Sequence, residues 1–344
     1  VKAAVYTGPR QIEILDVADP EIGPGDILLK VDAATICGTD LKIYLHGKSN
    51  VKPPQVLGHE FAGTIAAVGA EVVGYAIGDR VAVDPVIACG TCRYCLRGKP
   101  ALCPKLTVIA YDYPGAFAPY IALPQRAVQG GALYRIPDGL DARSAAIMEP
   151  LACAVNAHER MATGIGDSVL ITGAGPLGVM HACLARARGA GTVMVADVLP
   201  SRVALAEGFG FDALLDASAP DFADQIRSNT GGEGADVIVV ANSAPAAQEQ
   251  SLHLAAKGAR ICFFGGLPQS TPMVNLDSNI LHYKEQTLFG AFGASRLHNA
   301  LALEMLASGQ IPADKIVTHT LPLDRLVEGI EMVGRGESLK IAIV

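Results

Sequence analysis

Val169-Leu170-Ile171-Thr172-Gly173-Ala174-Gly175-Pro176-Leu177-Gly178 is a short apolar run that breaks into three spaced glycines and resumes as an apolar helical pattern reaching Arg188. A strand, a tight turn and a helix in that order form a phosphate cradle. Gly173 permits the turn, Gly175 lets the backbone approach a pyrophosphate, and Gly178 lets the helix lie close on the strand. Pro176 and Leu177 open that helix, whose N-terminus faces the anion. Asp197 closes the next predicted strand nineteen residues after Gly178. There its carboxylate can accept hydrogen bonds from ribose hydroxyls and would repel a 2′-phosphate, which favours NAD over NADP. Arg202 follows, placed to face a phosphate, cover an adenine or form a surface pair.

The texture around this loop sets the fold class. After Glu149-Pro150 come apolar runs at 168–172, 193–197, 213–216, 236–241 and 259–264, with helical patterns between them such as 176–188 and 201–209. Runs without polar alternation are what parallel strands covered on both faces require, so a doubly wound α/β sheet is expected. Before residue 148 the chain instead reads as short strands cut by Gly and Pro, at 3–6, 11–16, 27–34, 63–68 and 80–83, which predicts a compact β-barrel-like domain. A last strand at 286–289, a helix at 297–308 and a terminal strand at 339–344 are expected to return to that first domain.

Two metal-binding patterns lie outside the glycine loop. Cys89, Cys92, Cys95 and Cys103 form a C-x2-C-x2-C-x7-C array, which reads as a closed structural zinc site; the competing reading is a pair of disulfides or scattered buried thiols. Cys37, His59, Glu60 and Glu149 supply one thiolate, one imidazole and two carboxylates from separate parts of the chain. With three of them as ligands and Glu60 as a fourth candidate, a zinc ion keeps a position open for an alcohol oxygen. Cys153, Cys183 and Cys262 read as buried packing residues. His158, His181, His253, His282, His298 and His319 fall outside any ligand spacing.

Composition narrows the partners. At 344 residues the chain is long for one core, and half of it is hydrophobic, which suggests two domains. A net charge of -7 offers no basic track for a nucleic-acid backbone. No eighteen-residue apolar run predicts a membrane span, and the opening residues lack an export signal, so a cytoplasmic, thiol-reducing location is expected. Small molecules are the expected partners.

Taken together, Cys37-Gly38-Thr39-Asp40, Gly58-His59-Glu60 with Gly63 and Gly69, Gly78-Asp79-Arg80-Val81, the four-cysteine lobe, Glu149-Pro150-Leu151 and the glycine loop resemble the zinc-dependent medium-chain dehydrogenases/reductases over essentially the whole chain. The polyol (sorbitol-like) branch is the nearest resemblance, because Glu149 stands where simple alcohol dehydrogenases carry cysteine. The resemblance implies a GroES-like zinc catalytic domain over 1–148, a Rossmann NAD-binding domain over 149–288 and a C-terminal return over 289–344. It also implies two zinc ions per subunit, a substrate cleft between the domains, and a homodimer or homotetramer. The implied reaction moves a hydride from a secondary alcohol of a polyol or sugar to NAD, giving a ketone. Threonine or butanediol dehydrogenation is the alternative within the family, and a non-catalytic dinucleotide-binding protein the alternative outside it. By resemblance Thr39 receives the alcohol proton. Where many relatives carry a relay histidine this chain has Lys42, with His46 as a substitute candidate.

Overall fold

The computed structural model describes residues 1–344, and the chain divides into two compact units. The first comprises Val1–Ala152, Ala294–Gly309 and Ala313–Val344; the second comprises Cys153–Gly293 with Gln310–Pro312.

The first unit is built on a seven-stranded sheet in which Leu133–Arg135, Arg80–Val83, Glu60–Val68, Ile27–Thr35, Lys340–Ile343 and Val317–Leu321 lie side by side. Tyr120–Leu123 also pairs with Ile27–Thr35. Every pairing is antiparallel except that of Val317–Leu321 with Lys340–Ile343. A three-stranded sheet of Gln11–Asp16, Lys2–Gly8 and Gln55–Val56 completes the β framework. Ile27, Leu29, Phe61, Ile65, Val81, Val83, Phe117 and Ile341 are buried in one cluster. The terminal strand thus joins this core, pairing Ala342 with Thr35 and Ile343 with Ala34. The sheet places Thr35 opposite Glu60, so the chemistry-bearing ends of neighbouring strands meet at one place.

The second unit is a six-stranded sheet in the order Ala213–Asp216, Thr192–Asp197, Ser168–Thr172, Ala235–Val240, Ala255–Phe263, Thr287–Gly290. All five pairings are parallel, as expected for a doubly wound α/β sheet. Val169, Leu170, Ile171, Val193, Met194, Val237, Ile238 and Val239 are fully buried, which is why these strands carry no polar alternation. The order reverses between Ser168–Thr172 and Ala235–Val240, and the glycine loop leaves the first of these strands at that switch point, where open α/β sheets bind ligands. No helix is long and apolar enough to cross a membrane.

Candidate metal centres and dinucleotide loop

The cysteine lobe hangs between the short paired strands Val86–Ile87 and Thr107–Val108. Its four sulfurs all lie within 4.8 Å of one another, and none is in a disulfide. Cys89 and Cys95 are separated by 3.9 Å and Cys92 and Cys95 by 3.5 Å. A zinc–sulfur bond of about 2.3 Å sets a tetrahedron edge of about 3.8 Å, so the spacing fits zinc. Backbone N–H groups already address the sulfurs: those of Cys89 and Lys105 each approach Cys103 Sγ at 3.4 Å. The amides of Thr91 and Cys92 pull the Cys89 thiol down to about 6, whereas burial and the neighbouring Cys92 push Cys95 up to about 12. Crowded thiols that cannot all ionise alone are a donor set that a divalent cation completes.

The second centre grows from the ends of the first unit's strands. Cys37 caps the helix Gly38–His46, and its backbone N–H donates to Asp40 Oδ2 at 2.9 Å. Asp40 is fully buried, and its Oδ1 stands 3.6 Å from His59 Nδ1. A carboxylate behind one imidazole nitrogen fixes the ring and leaves the other nitrogen for a metal. The ligand atoms of Cys37, His59 and Glu60 lie within 4.8 Å of one another. Glu60 Oε2 accepts from Thr35 Oγ1 and from the ammonium of the buried Lys340, while Glu60 Oε1 is buried without a partner. An orphaned carboxylate oxygen beside a thiol and an imidazole is a donor set that fits a divalent cation. Burial alone would lower the pKa of His59, but the charges of Cys37 and Asp40 hold it well above its ordinary value. Lys340 behaves alike: burial works against its charge, and Glu60, Cys37 and Glu149 overcome it.

Glu149 is not in that three-residue cluster. It sits half-buried in the first turn of the helix Met148–Arg160, near enough for its charge to act on Lys340, Asp84 and Tyr111. Thr39 is half-buried in the first turn of the helix Gly38–His46, and Lys42 and His46 are exposed farther along it. Several participants escaped the sequence reading. Lys340 is one; its only signal is a single charge inside the apolar run Leu339–Val344. Asp84 is another, a carboxyl that burial pushes up to about 7 although the Val86 N–H and Asn299 amide bond to it. The Tyr111 ring, 5.9 Å from that of His59, is a third.

In the second unit the glycines are explained by what a Cβ would strike. At Gly178 it would lie 1.7 Å from the carbonyl oxygen of Gly173, and Gly173 itself has φ +106. At Gly175, the N-cap of the helix Pro176–Ala187, a Cβ would meet no protein atom within 4 Å. That position is open to a ligand, which fits a pyrophosphate beside the helix N-terminus begun by Pro176 and Leu177. Asp197 is buried; its Oδ2 accepts from the Ala174 N–H at 2.8 Å and its Oδ1 from the Leu199 N–H at 3.0 Å. The carboxylate therefore ties the second strand to the glycine loop. Arg202 lies 3.9 Å from it.

Residues 23–137 match the family model of the alcohol dehydrogenase GroES-like domain, and residues 176–308 match that of the zinc-binding dehydrogenases. The chain is 34% identical over 340 residues to an L-threonine 3-dehydrogenase of Pyrococcus abyssi, covering 96% of this chain and 94% of that one. It is 33% identical over 349 residues to a sorbitol dehydrogenase of Bacillus subtilis, covering 100% and 98%. Among solved structures, a zinc-binding dehydrogenase of Sinorhizobium meliloti with NADP bound superposes with a TM-score of 0.90 at 31% identity, over 100% of this chain and 98% of that one.

Proposed function

This chain belongs to the zinc-dependent medium-chain dehydrogenase family, and we propose that it oxidises a secondary alcohol of a polyol or sugar to a ketone with NAD as acceptor. The observation that supports this most is the Cys37, His59 and Glu60 cluster with its orphaned carboxylate oxygen. When bound, zinc supplies the Lewis acidity that makes an alcohol a stronger acid, and the dinucleotide supplies the hydride acceptor.

The chain's own groups do the rest. Cys37, His59, Glu60 and Glu149 are the candidate metal holders, and Asp40 fixes the His59 ring. Lys340 holds one oxygen of Glu60, which leaves the other to face the metal. Thr39 relays the alcohol proton, its hydroxyl accepting that proton as its own passes on to water. Gly173, Gly175 and Gly178 admit the pyrophosphate, and the negative charge of Asp197 opposes a 2′-phosphate. With two carboxylates near one site, Glu60 and Glu149, the donor set is oxygen-rich, which suits a substrate presenting two neighbouring hydroxyls.

A second reading, oxidation of a β-hydroxy amino acid, is supported by the likeness to the threonine dehydrogenase of Pyrococcus abyssi. Absorbance at 340 nm with NAD or NADP and a panel of sorbitol, 2,3-butanediol, threonine and ethanol separates the readings. Faster reduction of NAD with a polyol or diol is the expected result. A preference for ethanol overturns the substrate class, and a preference for threonine alone selects the second reading.

A further inference from the structure

Beside the Cys37 and His59 cluster stands a cation that neither metal retention nor dinucleotide binding employs. Lys48 follows Gly47, the residue that ends the helix begun by Cys37. Its ammonium lies 3.7 Å from the centroid of the Tyr111 ring, and that ring lies 5.9 Å from the ring of His59. Tyr111 is thus a spacer with the candidate metal ligand near one part and a lysine on its face. A cation on an aromatic face is held by the ring quadrupole and keeps its N–H donors free for another partner. No carboxylate lies within ion-pair distance of Lys48, although the charges of Cys37, Asp40 and Asp112 act on it. The side chain is exposed to solvent apart from the ring on which it is seated. A lone ammonium matches the single charge of a carboxylate better than the double charge of a phosphate monoester.

From this arrangement we propose that Lys48, seated on Tyr111, is a specificity-determining residue that selects substrates carrying a carboxylate near the alcohol to be oxidised. The inference rests on the secondary-alcohol reading above and narrows it to polyhydroxy acids, that is, polyols or sugars that also carry a carboxylate.

The test compares the zinc-loaded protein and its Lys48→Gln variant on 3-hydroxybutyrate and 2,3-butanediol, two secondary alcohols of four carbons, one anionic and one neutral. The ratio of kcat/KM for the acid to that for the diol is expected to fall about ten-fold in Lys48→Gln, mostly through KM, as loss of one charge-assisted hydrogen bond implies. Lys48→Arg should recover part of that ratio. In the wild type the KM for the acid should rise with sodium chloride, and in Lys48→Gln it should not. An unchanged ratio, or equal salt dependence in both proteins, overturns the assignment. Calorimetric titration with unreactive butyrate reads the same contact without turnover: weaker binding to Lys48→Gln supports the role of Lys48 and equal binding removes it. Absence of turnover on every alcohol, with butyrate binding still dependent on Lys48, refutes the secondary-alcohol reading alone.

Discussion

Acidification should loosen the dinucleotide-binding unit through two histidines that have no part in its binding loop. His158 and His181 are fully buried, their ring centroids are 5.2 Å apart, and none of their four ring nitrogens has a hydrogen-bond partner. His181 also packs edge-on against Phe264 at 4.4 Å. Burial, together with the charge of Arg188, pushes His158 down to about 3, and burial with the neighbouring His158 holds His181 well below its ordinary value. Above pH 6.5 both rings are neutral whether the chain is folded or not, and the stability they permit is fully present. Below it the unfolded chain takes up protons that the folded unit refuses, so stability falls by about 1.4 kcal/mol per pH unit for each ring. For His158 this loss continues down to about pH 3. Between pH 7.5 and 5 the two rings together remove about 4 kcal/mol, a large part of the 5–15 kcal/mol typical of a folded domain. Asp84 in the other unit has the opposite sign: its carboxyl, raised to about 7, gains a proton in the folded state first and adds stability as pH falls through that value. A double variant, His158→Leu with His181→Leu, removes the first effect and keeps the second. Urea midpoints of wild type and variant, taken at fixed zinc from pH 7.5 to 5, should diverge, with the wild type losing ground steadily. Parallel pH slopes would refute the reasoning.

Two further outcomes follow from packing. Lys340→Met should cost about 3–5 kcal/mol by leaving Glu60 charged and buried with only Thr35 on its bonded oxygen; thermal unfolding checks this, and adding Glu60→Gln should return much of the loss. Gly178→Ala should abolish or misfold the loop, because the new methyl would lie 1.7 Å from a carbonyl oxygen, whereas Gly175→Ala should keep the wild-type melting temperature yet bind NADH at least ten-fold more weakly by fluorescence titration.

What could be read from residues alone was what neighbours in sequence decide. The strand at 168–172 runs directly into its turn and helix, and steric demands inside eleven residues select its glycines; the lobe cysteines likewise lie within fifteen residues. The parallel sheet was legible because strands covered on both faces leave an apolar mark without alternation. The partners of the open metal centre were not legible. Lys340 meets Glu60 only because the terminal strand pairs beside Ile27–Thr35, and no local pattern encodes a pairing between residues some three hundred positions apart. Asp40 was visible as part of Cys37-Gly38-Thr39-Asp40, but its place behind His59 depends on where a separate strand begins. His158 and His181 carry no ligand spacing, and only the packing of their two helices reveals that both rings are sealed from water.

The insertion of the last strand has a consequence for how the enzyme comes into being on the ribosome. The sheet that carries Thr35 and Glu60 is made early in synthesis, yet Lys340–Ile343, which lies against Ile27–Thr35 and neutralises Glu60, emerges only after the whole nucleotide-binding unit has been translated. Pairings of such sequence separation are slow to form, since the intervening chain must be ordered or looped out first. During that interval the nascent catalytic unit carries an uncompensated carboxylate and leaves Ala34 and Thr35 unpaired at the end of their strand, a condition that favours chaperone engagement. Maturation of the metal centre is therefore tied to the synthesis of residues 340–343, and a nascent chain arrested before residue 340 should hold a fully formed dinucleotide sheet and a catalytic unit unable to mature.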